Sequence, residues 1–282
     1  YWSPAGQVWP EMHIENLTWG ADEPADTFSV GVEGHGLLAG GYRWLDGQLA
    51  AKGTSGYRTG GGRVPVEGVI TLGHATAPVE IKVHTRVDGD GFLIRWLDIT
   101  NTSRQAIGLT EVAPFAGLLW AHRRGCDEHL PPGGGSPFSV FYNHTNGWGC
   151  EGDFYPDRLE NGCFHFDGGK LGRSGHGRPA FWARNAANGQ TFVVEQAWSG
   201  NYRFEFDTRL SRSDPRAMLY FKIGLAGHDR ILRVLTAGET LRTPEVHLAL
   251  FAADHNAIVQ ATHDHVRHVV LPAPVPGRVL EI

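Results

Sequence analysis

Apolar and polar residues alternate along many short runs of this chain, and this alternation predicts β-strands. The clearest case is residues 79–87, where Ile81, Val83 and Val87 share one face because side chains two apart in a strand point the same way. The turn-forming residues 88–91 follow, and residues 92–100 return as the second strand of a hairpin. Further strands are predicted at 27–32, 64–72, 181–184, 191–198, 202–207, 218–223, 231–235 and 246–251.

One segment, residues 254–270, has the three- to four-residue spacing of an amphipathic helix. Asp254 is the capping candidate at its start, and Pro272 lies just beyond its end. The residues at helical spacing are Ile258, Thr262, Val266 and Val269. A second, shorter helix is also considered at residues 114–121.

Composition strengthens the all-β interpretation. The chain has 38 Gly and 16 Pro, which favour turns, and nine Trp and fourteen Phe, which suit half-buried pleated surfaces. Many strands without regular helices between them exclude a doubly wound α/β fold. Antiparallel sheets bury their apolar faces on each other. We therefore predict a mainly β, two-sheet antiparallel sandwich over residues 1–253, with a helix at 254–271 packed on it.

The charge and the cysteines restrict the partners and the compartment. A net charge of -5 without a basic stripe excludes a nucleic-acid-binding protein, and no apolar run is long enough to span a membrane. Cys126, Cys150 and Cys163 have neither metal-finger spacing nor the density of a disulfide scaffold. We expect a reducing, cytoplasmic compartment, no cofactor and no metal.

The two ends of the sequence indicate a part of a longer protein. The chain begins at Tyr1 without Met or a leader, and Pro272-Ala-Pro-Val-Pro276 is typical of an extended linker. We interpret residues 272–282 as a Pro-rich linker toward a further domain.

Two groups of titratable residues are candidates for a catalytic or metal site. His265 and His268 share a helix face and are spaced for a metal, but the His-Glu-x-x-His arrangement is missing, so the polar residues of 263–268 are interpreted as a solvated helix face. Glu151 and Asp153 lie in a Gly- and aromatic-rich segment. A glycosidase needs two carboxylates, but a solvated loop is the favoured interpretation of this pair.

Four residues are candidates for contact with a sugar. Arg63 follows three glycines at 60–62, which form either a structural turn or a loop that brings Arg63 close to a ligand. Trp148, Trp198 and Asn201 are candidates because aromatic rings suit apolar sugar faces and amides bond hydroxyls. Trp198 is also in phase with the strand before it, so a core position is the more common interpretation of this residue.

Six segments, in this order, resemble the N-terminal domain of α-galactosidases of glycoside hydrolase family 36, the melibiase type. They are Gly62-Arg63-Val-Pro65, Asp98-Ile-Thr-Asn-Thr102, Gly172-Arg-Ser-Gly-His176 followed by Pro179-Ala-Phe181, Trp198-Ser-Gly-Asn-Tyr202, Ala237 to Glu245, and His263 to Leu271. The resemblance implies a β-supersandwich of the galactose mutarotase-like type, packed before a (β/α)₈ barrel that carries the catalytic Asp residues.

The same resemblance implies a role without catalysis. The chain has no Lys-Trp-Asp segment, which carries the nucleophile in that family, so no catalytic residue is assigned and the chain alone is expected to be inactive. Arg63 matches the family's sugar-contacting Arg, although Gly61-Gly62 stands where the family has Asp-Phe. The implied partners are an α-galactoside bound by the whole enzyme, the enzyme's own barrel, and further copies in a homo-oligomer.

Two other functions stay open. One is an autonomous carbohydrate-binding module that uses the aromatic and Arg-bearing loops. The other is a mutarotase-like sugar epimerase, which needs a His acid and a Glu base. His247 and Glu245 are candidates for that pair, and their side chains share a face only if the segment is a regular strand.

Overall fold

In the computed structural model, the alternating runs of the sequence pair into antiparallel sheets. The structure describes residues 27–38, 40–51, 65–87, 91–123, 135–143, 154–168, 178–210, 216–227 and 230–271. Its strands are β1 (Ser29–Val32), β2 (Gly36–Leu37), β3 (Tyr42–Ala51), β4 (Val66–His74), β5 (Val79–Val87), β6 (Leu93–Asn101), β7 (Ile107–Ala113), β8 (Phe115–Arg123), β9 (Phe138–Asn143), β10 (Phe154–Arg158), β11 (Gly162–Gly168), β12 (Ala180–Asn185), β13 (Gln190–Gln196), β14 (Tyr202–Leu210), β15 (Arg216–Leu225), β16 (Arg233–Leu235), β17 (Thr240–Arg242) and β18 (Val246–Phe251).

The strands form two layers. One layer is a ten-stranded sheet in the order β10-β9-β12-β13-β18-β6-β5-β4-β3, with β17 paired to β6. The other layer consists of two four-stranded sheets, β16-β7-β1-β2 and β11-β14-β15-β8. The predicted all-β sandwich is confirmed, and within the described residues its second layer is divided in two.

Inward-facing side chains fill two apolar clusters between the layers. The larger one is rich in aromatic rings, such as Phe181 and Phe204, and lies between the β9–β18 half of the large sheet and the sheet that contains β14. The second is aliphatic and joins Ile81 of β5 to Leu109 of β7. Burial of this apolar surface is the main force that holds the layers together.

Several predicted strands are confirmed, and one predicted element is wrong. Residues 79–87 and 246–251 form β5 and β18 with the predicted bounds. The short helix considered at 114–121 is wrong, since these residues pair with β15 as strand β8. The strand contains a bulge: Leu119 is skipped in the pairing, and Gly117 has a φ of 142°. Such a bulge interrupts the two-residue period of a strand, so the sequence pattern does not indicate one.

The C-terminal helix packs on the face of the large sheet that points away from the core. It consists of α1 (His255–His265) and a π-helical extension (Val266–Val270). The side chain of Asp254 accepts a hydrogen bond of 2.9 Å from the backbone N–H of Ala257, as predicted for a capping residue. Ile258 and Val269 are buried against the sheet. The predicted linker at 272–282 lies outside the described residues.

Candidate functional site on the outer face of the large sheet

Polar side chains from several strands meet on the outer face of the ten-stranded sheet, the face opposite the core. Along β6 the two-residue alternation sends Leu97 and Ile99 into the core and Trp96 and Asp98 outward. We define the outer-face cluster as Glu67 of β4, His84 and Arg86 of β5, Trp96 and Asp98 of β6, Arg242 of β17, Glu245, His247 of β18 and His265 of α1.

His84 lies between two carboxylates. Its Nδ1 is 3.3 Å from Glu67 Oε1, and its Nε2 is 3.0 Å from Asp98 Oδ2. Only the imidazolium form carries a proton on both nitrogens and donates to both acids. The two carboxylates contact opposite sides of the ring and do not converge on one point. No group of three His, Cys, Asp or Glu side chains in the described residues is arranged to hold a metal.

The indole ring of Trp96 packs against the imidazole ring of His84. The two rings stack with centroids 4.7 Å apart, and the guanidinium of Arg242 lies 4.8 Å from the Trp96 ring centroid, a cation–π distance. Trp96 is 3% exposed, and its Nε1–H has no acceptor in the part of the chain that the structure describes. Asp98 Oδ1 likewise has no donor there. Two buried polar atoms beside His84 therefore lack a hydrogen-bond partner within the described residues.

The carboxylate of Glu245 contacts two arginines and one histidine of the cluster. Its carboxylate is 3.6 Å from His247 Nε2, 3.8 Å from Arg86 Nη2 and 3.3 Å from Arg242 Nη2. The contact with His247, followed by Arg86 and Arg242, holds the pKa of Glu245 below its ordinary value, against the opposing effect of burial. Glu245 is therefore a carboxylate at neutral pH and serves as a counter-ion.

His247 joins the sheet to the helix. Its Nδ1 is 2.8 Å from His265 Nε2, and the His265 ring stacks on Phe92 with centroids 3.9 Å apart. His265 is fully buried and His247 is 5% exposed. The interpretation of 263–268 as a solvated helix face is therefore wrong for His265, which is buried where the helical spacing predicts Val266 to be.

The sequence contains a signal for the burial of His265. The buried helix residues are Ile258, Thr262, His265 and Val269. Their spacing of four, three and four is that of an apolar helix face, in which His265 takes one position. Its neighbour Val266 is only partly buried. Glu245 and His247, the candidate pair whose side chains would share a face only in a regular strand, both point to the outer face and lie 3.6 Å apart.

Two of the predicted sugar-contact residues lie in the turn between β13 and β14. Trp198 is 41% exposed, so the more common interpretation, a core position, is wrong for this residue. The strand ends at Gln196, whose carbonyl accepts a 2.7 Å bond from the Trp198 N–H, and this turn breaks the alternation. Trp198 Nε1 donates to the carbonyl of Asn201 at 3.0 Å, which fixes the ring.

This turn adjoins the outer-face cluster through the backbone. The N–H of Ala197 donates to the carbonyl of Glu245 at 2.8 Å. Asn201 Oδ1 is buried and has no hydrogen-bond donor among the described residues. The other two predicted contacts, Arg63 and Trp148, lie outside the described residues, as do Glu151 and Asp153.

The fold and the two-layer arrangement define a mainly β sandwich with antiparallel sheets. Comparison with solved structures finds this fold within α-galactosidases of glycoside hydrolase family 36. The chain matches the enzyme from Lactobacillus brevis with a TM-score of 0.64 and 13% identity, over 93% of this chain and 35% of that one. It matches AgaB from Geobacillus stearothermophilus with a TM-score of 0.63 and 13% identity, over 88% and 34%.

A third similar structure is the galactosidase domain of the α-galactosidase–sucrose kinase AgaSK, with a TM-score of 0.61 and 16% identity over 93% of this chain and 38% of that one. The chain thus spans little more than a third of these structures, and the predicted resemblance is confirmed at the level of the fold. No protein-family model and no curated protein matches the sequence. Within the described residues, no helix has the length and apolarity needed to cross a membrane.

Proposed function

We propose that the chain is a non-catalytic β-sandwich domain of an α-galactosidase-like glycoside hydrolase of family 36. One observation carries this proposal: the fold match extends over 93% of this chain but only 35% of the matched α-galactosidase. Such unequal coverage is expected when a chain corresponds to one domain of a larger enzyme. The six sequence segments in family order support the same assignment.

The engagement of the carboxylates supports a role without catalysis. Glycosidases place two carboxyl groups about 5–5.5 Å or about 6.5–9.5 Å apart around the scissile bond. In the outer-face cluster, Glu67 and Asp98 are both committed to His84, and Glu245 is neutralised by two arginines. We therefore assign the nucleophile and the acid/base to the barrel that the resemblance implies.

Scaffolding and oligomerisation form the second part of the proposal. Among the strands that the structure describes, β3 is the last of the large sheet, and it carries exposed apolar side chains at Trp44, Leu45 and Leu49. An edge with this composition favours pairing or packing with another polypeptide. Light scattering of the complete protein, compared with a Leu49→Lys variant, tests it: the variant is expected to form a smaller assembly, and an identical mass contradicts this part.

The third part is a contribution of Arg63 to the rim of the active site. In the complete enzyme, Arg63→Ala is expected to raise KM for an α-galactoside with an unchanged unfolding transition, because a sugar contact is lost without a change in the core. Arg104→Ala, at an exposed Arg, is the matched control. An unchanged KM in the Arg63 variant rejects the rim role.

An autonomous sugar-binding module is the alternative that Trp198 favours, since its ring is fixed and 41% exposed. Calorimetric titration with galactose and raffinose at millimolar concentration tests it. The module predicts heat that Trp198→Ala abolishes and Trp44→Ala, at another exposed Trp, leaves unchanged. Absence of heat in the unsubstituted chain rejects the module.

The mutarotase-like alternative is weakened by the burial of its candidate acid, His247. His247 is 5% exposed and its Nδ1 is taken by His265, so a sugar has no direct path to the ring. Polarimetry of fresh α-galactose is the test, and mutarotation faster than in buffer alone would revive this function.

The complete reading frame distinguishes the main proposal from both alternatives. A frame that continues past residue 282 into a barrel with a Lys-Trp-Asp segment supports a domain of a glycosidase, and a stop codon there rejects it. A reducing, cytoplasmic compartment and the absence of nucleic-acid and membrane partners remain predictions. Of the cysteines, Cys163 is free and exposed, and Cys126 and Cys150 lie outside the described residues.

A further inference from the structure

The second layer of the sandwich carries a cavity on the face of the β11-β14-β15-β8 sheet that points away from the core. Along β14 the two-residue alternation sends Phe204 and Phe206 into the aromatic cluster and Glu205 and Asp207 outward. The cavity has a volume of about 420 Å³. This volume lies within the range of about 300–1,000 Å³ that small-molecule sites have. We call it the second-layer cavity.

Side chains from three neighbouring strands line this cavity. They form two rows across the sheet, Cys163, Asp207 and Tyr220 in one and His165, Glu205 and Lys222 in the other, with Arg203 beside the second row. Opposite side chains on neighbouring antiparallel strands lie about 4.5–5.5 Å apart, so each row is a continuous surface. Cys163 and His165 are exposed, so solvent reaches the cavity.

The charged groups of one row are paired with one another. Lys222 Nζ is 2.5 Å from Glu205 Oε2 and 3.2 Å from Glu111 Oε2. Arg203 Nε is 3.0 Å from the other oxygen of Glu205. Burial opposes the charged form of Lys222, but the hydrogen bonds and charges of Glu205 and Glu111 raise its pKa above the ordinary value. Lys222 is therefore an ammonium group with two carboxylate partners.

Asp207 and Tyr220 in the other row are held by a common neighbour. Arg209 Nε donates to Asp207 Oδ2 at 2.9 Å, and the Arg209 guanidinium lies 4.7 Å from the ring centroid of Tyr220, a cation–π distance. The two cations and two carboxylates of the described lining cancel in charge when the histidine is neutral, as do the flanking Glu111 and Arg209. The cavity is thus polar without a net charge.

We propose that the second-layer cavity binds a neutral saccharide. A charged ligand would have to break an existing ion pair, because each cation of the described lining already faces a carboxylate. A sugar hydroxyl both donates and accepts, and an ionised carboxylate accepts several hydrogen bonds, so hydroxyls can add to Glu205 and Lys222 without separating them. The Tyr220 ring supplies apolar surface for the C–H groups of a pyranose.

This cavity is separate from the candidate sites described above. None of its described lining residues lies in the turn that contains Trp198 or in the outer-face cluster. The saccharide class follows from the paired charges and the aromatic ring, without a catalytic barrel. Only the choice of galactosides among the probes rests on the proposed function.

Calorimetric titration of the full 282-residue chain with galactose, raffinose and glucose tests the site. At least one of these neutral sugars is expected to bind with a dissociation constant of about 1 mM, the scale of a small ligand in an open site. Cys163→Trp fills the cavity from an exposed strand position and should weaken binding about tenfold or more. Cys163→Ser keeps the size of the side chain and is the matched control with unchanged affinity.

Two further variants locate the bound sugar. Glu205→Gln should weaken binding about tenfold, because a hydrogen bond to an amide is weaker than one to a carboxylate. Trp198→Ala separates this cavity from the β13–β14 turn: loss of binding in that variant would place the sugar at the turn and overturn the proposal. If Cys163→Trp does not fold, as judged by its unfolding transition, an unchanged affinity in Glu205→Gln overturns the proposal instead.

Two results with the other proteins also overturn the site: no heat with any of the three sugars in the unsubstituted chain, or unchanged affinity in a folded Cys163→Trp variant. Galacturonate, which adds a carboxylate to galactose, should bind no more tightly than galactose. Tighter binding of galacturonate would indicate an anion site and contradict the neutral ligand. These outcomes are distinguishable from failure of the proposed glycosidase role, because hydrolysis by the complete protein tests that role separately.

Discussion

The two faces of the ten-stranded sheet are built by the same strands and serve different purposes. Along β18, Val246, Leu248 and Leu250 point inward to an apolar cluster, and His247 points outward to a network of charges. The inner face depends on volume, since its side chains are interchangeable in chemistry but not in shape. The outer face depends on pairing, because each buried polar atom needs a partner. Substitutions on the inner face should therefore destabilise the protein through lost packing, and those on the outer face through lost polar contacts.

The largest effect is expected from the inner face. Phe181→Ala should lower the free energy of unfolding by about 3–5 kcal/mol, because it leaves a cavity among aromatic rings. Phe181 is fully buried and packs on Phe192, Phe204 and Phe206. Urea unfolding measures the change. Trp182→Ala, one residue further on and on the outer face, should cost less, and equal costs would contradict the difference between the faces.

A buried polar side chain beside the core gives the next effect. Asn101 is fully buried, its Nδ2 donates to the carbonyls of Gln105, Leu235 and Thr236, and its Oδ1 accepts from Ser103. Asn101→Ala should cost about 2–4 kcal/mol, because several backbone carbonyls lose their donor. Urea unfolding against Thr102→Ala, an exposed neighbour, is the measurement. A cost below that of the control would contradict this assignment.

On the outer face, stability should depend on pH. Glu245→Gln should cost about 1–3 kcal/mol at pH 7, because Arg86 and Arg242 lose their counter-charge. The pKa of Glu245 is lowered in the folded state, so its stabilisation is complete above the ordinary Glu pKa of ~4.3 and disappears as the pH falls through the folded value. Urea unfolding of both proteins in a pH series should give a difference that shrinks with acid. A constant difference would contradict the ionic role.

The smallest effect is expected at the start of α1. Asp254→Ala should cost about 1 kcal/mol, because the Ala257 N–H loses its cap. Asp264→Ala, in an exposed pair 3.5 Å from Arg267, should cost only ~0–0.5 kcal/mol. Thermal unfolding of the two variants measures both costs. A larger cost for Asp264→Ala would contradict the claim that the Asp254 cap stabilises the helix more than the exposed ion pair does.

The elements that the sequence predicted share a simple pattern. Strands β5 and β18 alternate without interruption, and the helix at 254–270 has a cap and an apolar spacing. Two of the strands that were not predicted, β3 and β8, depart from the pattern. Residues 43–49 of β3 are all exposed, and β8 contains a bulge, so neither displays the alternation of a half-buried strand. Strand β11 was missed although it alternates Phe164 and Phe166 with exposed residues.

The outer-face cluster was only partly predictable. Glu245 and His247 are close in sequence, and their proximity could be proposed. Glu67, His84 and Asp98 come from three strands, and the register that joins them depends on how the turns between the strands close. His265 was missed because its residue type indicates a polar face, whereas its spacing from Thr262 and Val269 indicates burial.

Hydrolysis of an α-galactoside, measured for two proteins side by side, tests the central claim most directly. One protein is the 282-residue chain, and the other is the product of the complete reading frame. We predict no hydrolysis above buffer by the chain alone and release of galactose from raffinose by the complete protein. Hydrolysis by the chain alone, or an inactive complete protein, would contradict the assignment of this sandwich as the non-catalytic domain of an α-galactosidase.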